Sequence, residues 1–292
     1  MSVKHPIIVI TGSSGAGTST VRSTFEEIFR REGVVPAIVE GYAFHRYDRH
    51  EMQEKMIEMQ RQGYVNFSHF GPEANLFEEL EALFKEYGER GSGKVRRYLH
   101  NDEDARPFWL KAGMFTALED LPAATNVLFY EGLHGAVKTD KVNIARHADL
   151  LIGIVPSINL EWIQKLHRDK SACGETPEAV VETVLRRMPD YINYICPQFS
   201  DTHVNFQRVP IVDTSNPFTA RHIPSLDESM LVIRFRDPRG VDFPYLLTML
   251  KESFMSRANT IVCPGGNMPL AMQLIFTPMI WKLMERKRKA ES

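Results

Sequence analysis

The sequence predicts an α/β protein: a mostly parallel sheet with helices on both faces and inserted lid or substrate segments, read as one domain over residues 1–292. Three observations predict it. Ile7 to Ile10 is an uninterrupted apolar run, the pattern of a strand covered on both faces. A Gly/Ser segment follows, and then Val21, Phe25, Ile28 and Phe29 repeat at helical spacing. Residues 35–40, VPAIVE, read as a second strand. Strand, loop, helix and strand in that order is how a parallel sheet commonly begins.

The remaining elements follow in order. Residues 45–120 are more polar; 51–63 read as an exposed amphipathic helix and Leu76 to Tyr87 as another. NVLFYE (126–131) and DLLIGIV (149–155) read as two further buried strands. A helix follows near 159–170, and another over about 177–195 in which Pro189 kinks or splits the turn pattern. VPIVD (209–213), MLVIRF (230–235) and NTIVC (259–263) read as later strands. A last helix near 268–288 contains Pro278, and its basic end, MERKRKA, reads as a solvated C-terminus that complements the helix dipole. No repeat and no Pro/Ser/Gly-rich linker divides the chain.

Composition narrows the function. Among 292 residues, 43% are hydrophobic and 25% charged, which excludes a disordered or collagen-like chain. Lys plus Arg total 35 against 37 Asp plus Glu, a net charge of −2, so no nucleic-acid partner is expected. No run approaches the ~18 apolar residues of a membrane span, and the N-terminus lacks a signal-peptide pattern. Cys173, Cys196 and Cys263 form no CxxC pair, so neither a zinc knuckle nor a disulfide framework is indicated. The sparse cysteine count fits a reducing compartment, and the expected location is cytoplasmic.

The most informative segment is ITGSSGAGTST, residues 10–20. Gly12, Ser13, Ser14, Gly15, Ala16, Gly17, Thr18, Ser19 and Thr20 follow the phosphate-loop spacing GxxxxGK[ST], with Thr18 in place of the lysine. Such a loop turns backbone N–H groups toward phosphate oxygens, and the helix after it adds its positive N-terminal end. Ser19 occupies the position whose hydroxyl binds Mg²⁺. Because the lysine is missing, another cation has to meet the terminal phosphates.

Other residues complete the pattern. Glu131 ends an apolar strand and precedes Gly132, the place where such proteins put an acid on the metal side. In NLEWIQKLHRDKSACG (159–174), Leu160, Ile163 and Leu166 form one face, and Glu161, Lys165, Arg168 and Asp169 the other. Those charges read either as a solvated face with i,i+4 ion pairs or as a lid supplying the absent cation. His45, Arg46 and Arg49 follow the second strand and face the sheet edge that carries the phosphate loop. Lys94, Arg96, Arg97 and His100 form a second basic cluster, read equally as solubility or as anion binding.

Together GSSGAGTST, FHRY, LFYEGLHG, NLEWIQKLHRD, PQFS, NFQRVP, VDTSNPF and the late Pro-Gly-Gly resemble the prokaryotic-type phosphoribulokinase family, from His5 to about Met284. The threonine-for-lysine loop is itself typical of that family. The resemblance implies a P-loop nucleoside-triphosphate-hydrolase-like kinase fold and Mg-ATP-dependent phosphorylation of ribulose 5-phosphate. It implies that Gly12 to Thr20 cradle ATP and that Ser19 and Glu131 hold Mg²⁺. Lys165 and Arg168 would approach the transferred phosphoryl group, with Asp169 supporting catalysis. His45, Arg49, His100 and Arg168 would bind the sugar phosphate. It also implies a homo-oligomer activated by NADH and inhibited by AMP, through Arg31, Arg234 and Arg257.

The chain departs from the family at two positions. Tyr42 stands where the family carries the aspartate expected to act as base, which predicts impaired transfer, since an unperturbed tyrosine has a pKa of about 10. Asp169 and Asp48 are the substitute bases. Cys173 stands where arginine is common, removing a lid cation. With Ala16 in the loop and no cysteine before Cys173, the chloroplast-type redox switch is absent. Two other functions remain: a nucleotide-binding regulatory pseudokinase, and a same-fold kinase for another small alcohol.

Overall fold

The computed structural model describes residues 4–12, 18–173, 176–220 and 222–292, with only the backbone course for 18–20, 168–173 and 177–178. Ser13, Ser14, Gly15, Ala16 and Gly17 of the expected phosphate loop lie outside the described residues.

The chain opens with β1 (Ile7–Gly12), α1 (Thr18–Glu32) and β2 (Pro36–Glu40). Successive strand residues point to opposite faces. Ile8 and Ile10 therefore enter one core and Ile7 and Val9 the other, which is why the run is apolar without alternation. The polar stretch holds α2 (Arg49–Arg61), α3 (Phe77–Arg90), β3 (Lys94–Val95), α4 (Asp102–Ala105) and β4 (Glu119–Asp120), and β3 pairs with β4 in a small separate sheet. Next come β5 (Val127–Gly132), β6 (Leu150–Val155), α5 (Ile158–Cys173), α6 (Pro177–Asp190) and β7 (Val204–Pro210). The chain closes with β8 (Ser229–Phe235), α7 (Phe243–Met249), β9 (Phe254–Arg257), β10 (Thr260–Pro264) and α8 (Met268–Glu291).

The main sheet has eight strands in the order β2-β5-β1-β6-β7-β8-β10-β9. From β2 to β7 every neighbouring pair is parallel; β8, β10 and β9 extend the sheet antiparallel. One face is covered by α1 and α8. There Phe25 lies 5.1 Å, centroid to centroid, from both Phe129 and Phe276. Burying a side chain of that size stabilises by about 1.5–3 kcal/mol. The other face packs Phe84 and Tyr87 of α3 against Val9 and Tyr130.

Two local expectations change, and one holds. The strand expected over VPIVD lies upstream, at Val204–Pro210, and Ile211 and Val212 are exposed after it. β7 sends Asn205 and Gln207 to a face without the main core, so its pattern reads as polar. Pro189 does interrupt its helix: α6 ends at Asp190 and a π-helical turn, Tyr191–Ile195, follows. A proline has no N–H to give the preceding turn, and wider turns absorb that loss. The basic end of α8 is not wholly solvated. Lys287 is buried and donates from Nζ to the Lys4 carbonyl (2.7 Å) and to Glu291 (2.6 Å), tying the two ends of the chain together.

Candidate active site

In open α/β sheets, ligands collect outside the carboxyl ends of the parallel strands. Gly12 ends β1, Glu40 ends β2 and Glu131 stands one residue before the end of β5, and the three line one cavity of about 270 Å³. Ile10 and Glu131 are register partners, so the acid sits beside the strand that leads into the phosphate loop. Gly12 has no room for a side chain, because a Cβ there would overlap the Ile154 carbonyl oxygen. The end of β1 therefore runs in close contact with the backbone of β6.

The far wall is built from the segments after β2 and after β3. Tyr42, His45 and His100 line it. Tyr42 is partly exposed and stacks on Tyr98 (5.5 Å between centroids) as well as meeting His100 edge-on at 4.7 Å. Arg96 reaches beneath the wall. Its Nε donates to the Ala43 carbonyl at 2.9 Å and its Nη2 to the His45 carbonyl, while the guanidinium lies 3.7 Å from the Phe115 ring centre. That anchoring fixes the backbone on which His45 stands.

The electrostatics divide the groups by role. His100 Nε2 lies 3.6 Å from Glu40, and Arg22 of α1 donates to the same carboxylate. His100 first, and Arg22 with it, hold the Glu40 carboxyl down at about 2 against the opposing effect of burial. A carboxylate so weakly basic does not accept a proton from a sugar hydroxyl near neutrality. Burial, joined by the positive charges of Arg96, Arg187 and His100, lowers His45 to about 4. Burial likewise lowers His69 and His134 to about 3. All three are neutral at pH 7.

Among the described residues, Gly12 and Glu131 suit the nucleotide group implied by the loop, since both line the cavity at the strand ends. Mg²⁺ on a nucleotide is held by one or two protein oxygens, with phosphates and waters completing the shell. Glu131 in the cavity and Ser19 at the start of α1 would supply those protein oxygens. Among the described residues no cluster of three His, Cys, Asp or Glu side chains forms a self-sufficient metal cage.

Comparison with known proteins agrees with this geometry. A family model described as Phosphoribulokinase / Uridine kinase family matches residues 7–215. The chain belongs to the phosphoribulokinase/uridine kinase family. It is 65% identical over 290 residues to the plasmid phosphoribulokinase of Cupriavidus necator, covering 99% of each chain. It is 62% identical over 290 residues to the phosphoribulokinase of Xanthobacter flavus, covering 99% of this chain and all of that one. A solved structure described as phosphoribulokinase from Rhodobacter spheroides superposes with a TM-score of 0.91 at 54% identity, covering 98% of this chain and 100% of the other.

Within this family member, the structure gathers some expected residues and separates others. Gly12, Tyr42, His45, His100 and Glu131 share the cavity. Arg49 does not line it: Arg49 is exposed on α2 and its Nη2 donates to the His100 carbonyl at 3.0 Å. Lys165 lies on α5 in a separate small recess with Glu161, Arg187 and Tyr191. Arg168 and Asp169 follow on the same helix, where only the backbone is described, as for Thr18, Ser19 and Thr20 on α1. Asp48, one of the two substitute bases, has another task. It caps α2, accepting from the His50 and Glu51 amides at 2.8 Å each, while Glu51 accepts from its own amide. Of the second basic cluster, Lys94 pairs with Asp120 and Arg97 with Glu119 at the surface, while Arg96 anchors the cavity wall.

Arg234 and Arg257 come together although they lie far apart in sequence. Both are register partners of Thr260, one on each side of β10, and both line a groove of about 430 Å³. Arg31 does not line it; its guanidinium binds Glu32 and Thr277.

Sequence reasoning missed Gln198. This buried amide accepts from Thr11 (2.8 Å) and the Ala136 amide (2.9 Å) and donates to the Leu133 carbonyl (2.8 Å). It fastens the end of β1 to the turn after Glu131. Its only signal was its place in the PQFS motif. It also missed His69 and His134, single histidines in polar or glycine-rich stretches that carry no periodic signature.

Proposed function

We propose that this chain transfers the terminal phosphoryl group of Mg-ATP to a hydroxyl of ribulose 5-phosphate, giving ribulose 1,5-bisphosphate. The observation that carries the reading is the single cavity onto which the phosphate-loop glycine Gly12, the acid Glu131 and the histidines His45 and His100 converge. Relatives at 65% and 62% identity over nearly the whole chain bear the name phosphoribulokinase, which supports the same acceptor. One continuous sheet from β2 to β9 supports reading residues 1–292 as one domain.

The roles follow from chemistry. Backbone amides of Gly12 to Thr20 cradle the nucleotide phosphates. Ser19 and Glu131 hold Mg²⁺, which neutralises charge on the phosphates when bound. Lys165 and Arg168 supply the cations that Thr18 cannot, with Asp169 orienting the acceptor hydroxyl. His45, His100, Arg49 and Arg168 hold the sugar phosphate. Tyr42 leaves the site without a carboxylate base at that position, so turnover is slow.

Regulation by NADH as activator and AMP as inhibitor is placed at Arg31, Arg234 and Arg257, in a homo-oligomer. The pairing of Arg234 with Arg257 across Thr260 supports an anion in that groove, since two guanidiniums there offer forked donors to phosphate. The expected setting is the cytoplasm, and among the described residues no helix is long and apolar enough to cross a membrane.

The test is a coupled ADP-release assay across pentose phosphates with Mg-ATP, run beside Tyr42→Asp. Turnover of ribulose 5-phosphate above other pentose phosphates supports the reading. A second reading, a nucleotide-binding regulator, is favoured by the aromatic side chain at position 42. It prevails if ATP binds and neither protein turns over any pentose phosphate.

A further inference from the structure

The residue that faces the substrate cavity, His45, is itself held by a second histidine that does not line the cavity. His69 Nδ1 lies 3.2 Å from His45 Nδ1, with the rings crossed at 75° and their centroids 5.0 Å apart. Two ring nitrogens at that distance share one proton. Two N–H groups would push their hydrogens together, and two bare nitrogens would set lone pair against lone pair. Both imidazoles are neutral, so one donates and the other accepts.

The choice of donor decides what His45 can do. If His45 gives its Nδ1 proton to His69, its Nε2 is a bare acceptor. If His69 gives its proton to His45, then His45 carries its own proton on Nε2 and donates there. The surroundings favour the second arrangement. The guanidiniums of Arg96 and Arg187 both press positive potential on His45, and Arg96 is fixed beside it by its bonds to the Ala43 and His45 carbonyls. A pocket wall with that field suits an anionic ligand, and an anionic oxygen is met by an N–H, not by a lone pair.

The loop that carries His69 is fixed as a scaffold would be. Asn75 Nδ2 donates to the His69 carbonyl at 2.9 Å and to the Gly71 carbonyl at 2.7 Å. Ser68 Oγ donates to Asp190 at 2.7 Å and accepts from the Phe70 amide at 3.1 Å. Buried His134 donates from Nε2 to the Phe70 carbonyl at 3.0 Å. Gly71 passes so close to α6 that a Cβ there would come 2.8 Å from Asp190 Oδ2. Asn75 also bridges to His45 through the backbone, so both histidines hang on one frame.

We propose that His69 is a positioning residue: by donating its Nδ1 proton to His45 it fixes His45 as the Nε2–H tautomer, a hydrogen-bond donor to an anionic oxygen of the sugar phosphate. This rests on the reading of the cavity as a sugar-phosphate site. A carboxylate or a carbonyl beside a histidine commonly sets its tautomer; here a second imidazole does so without adding a charge that would repel the ligand.

The test uses the full chain labelled with ¹⁵N-histidine, with the His45 signals assigned by their loss in His45→Gln. The expected pattern is a bare Nδ1 and a protonated Nε2 for His45. Calorimetry with ribulose 5-phosphate, in the presence of a nonhydrolysable ATP analogue, supplies the second readout. His69→Phe should weaken sugar-phosphate binding about five- to twentyfold, the scale of one hydrogen bond, and leave affinity for the ATP analogue unchanged. His69→Asn, which keeps a short amide donor, should restore part of the loss. A His45 protonated on Nδ1 in the unmodified chain overturns the proposal whether or not the variants fold. So does unchanged sugar-phosphate affinity in His69→Phe when His45→Gln weakens it. Unchanged affinity in His45→Gln instead overturns the sugar-phosphate reading of the cavity.

Discussion

The ring of Tyr42 lies nearly parallel to the imidazole of His45, with 5.3 Å between centroids and 27° between planes. An aromatic stack therefore occupies the cavity wall at the position where the family resemblance places a carboxylate. The two carboxylates that the described residues bring to the cavity do not replace it. Glu40 is held at about 2 by His100 and Arg22, and Glu131 lines the cavity beside the strand that leads into the phosphate loop, where the proposed role for it is to hold Mg²⁺.

Tyr42→Asp is expected to raise kcat for ribulose 5-phosphate by about 10²–10⁴-fold, the usual contribution of a general base. Affinity for ATP should change little, because Gly12 and α1 are untouched. Steady-state kinetics checks this, and an unaltered kcat would show that Tyr42 is not what limits the enzyme.

Lys165→Ala is expected to lower turnover by about 10²–10³-fold, the loss typical when a group stabilising transition-state charge is removed. Lys165 lies in the recess with Glu161 and Arg187 and not in the cavity lined by Gly12 and Glu131, so equilibrium binding of an ATP analogue should persist. Turnover at the original rate would remove Lys165 from the site.

Acid should destabilise the protein early. His45, His69 and His134 have folded-state pKa values of about 4, 3 and 3, below the 6.5 of a free histidine. The unfolded chain then binds more protons than the folded one between those limits, so stability falls as pH drops below 6.5 and the loss levels off near pH 3. Thermal unfolding followed from pH 7 to 5 should show the midpoint falling, and His134→Gln should flatten the slope. A midpoint independent of pH across that range would contradict the burial of these rings as neutral groups.

Arg257→Ala is expected to blunt the response of turnover to NADH while leaving basal turnover in place, since Arg257 sits on the edge strand β9, away from the cavity. Activity titrations with NADH decide it. An unaltered response would reject the role assigned to Arg257.

Much of the fold was legible because its signals are local. The run Ile7 to Ile10 announces a strand buried on both faces, and Val21, Phe25, Ile28 and Phe29 announce the helix packed against it. β7 was misplaced for an equally local reason. Its face bearing Asn205 and Gln207 lies outside the main core, so it lacks the apolar signature that VPIVD imitates. The phosphate-loop glycines and Glu131 stand out in the sequence because the chemistry demands residue types at fixed spacing, and Gly12 and Glu131 do line one cavity.

The sequence by itself determined the parallel opening of the sheet, the glycine loop after the first strand, the acid at the end of β5 and the tyrosine in place of the aspartate. These are contiguous patterns, and contiguous residues are already neighbours in the unfolded chain. Only the tertiary structure decided that Asp48 caps a helix, that Glu40 is held by His100 and Arg22, that Arg234 and Arg257 flank Thr260, and that His69 reaches His45. Each of these depends on strand order, on loops crossing between layers, or on burial that shifts a group's pKa. A one-dimensional pattern carries neither distance nor desolvation, so it cannot specify those partnerships.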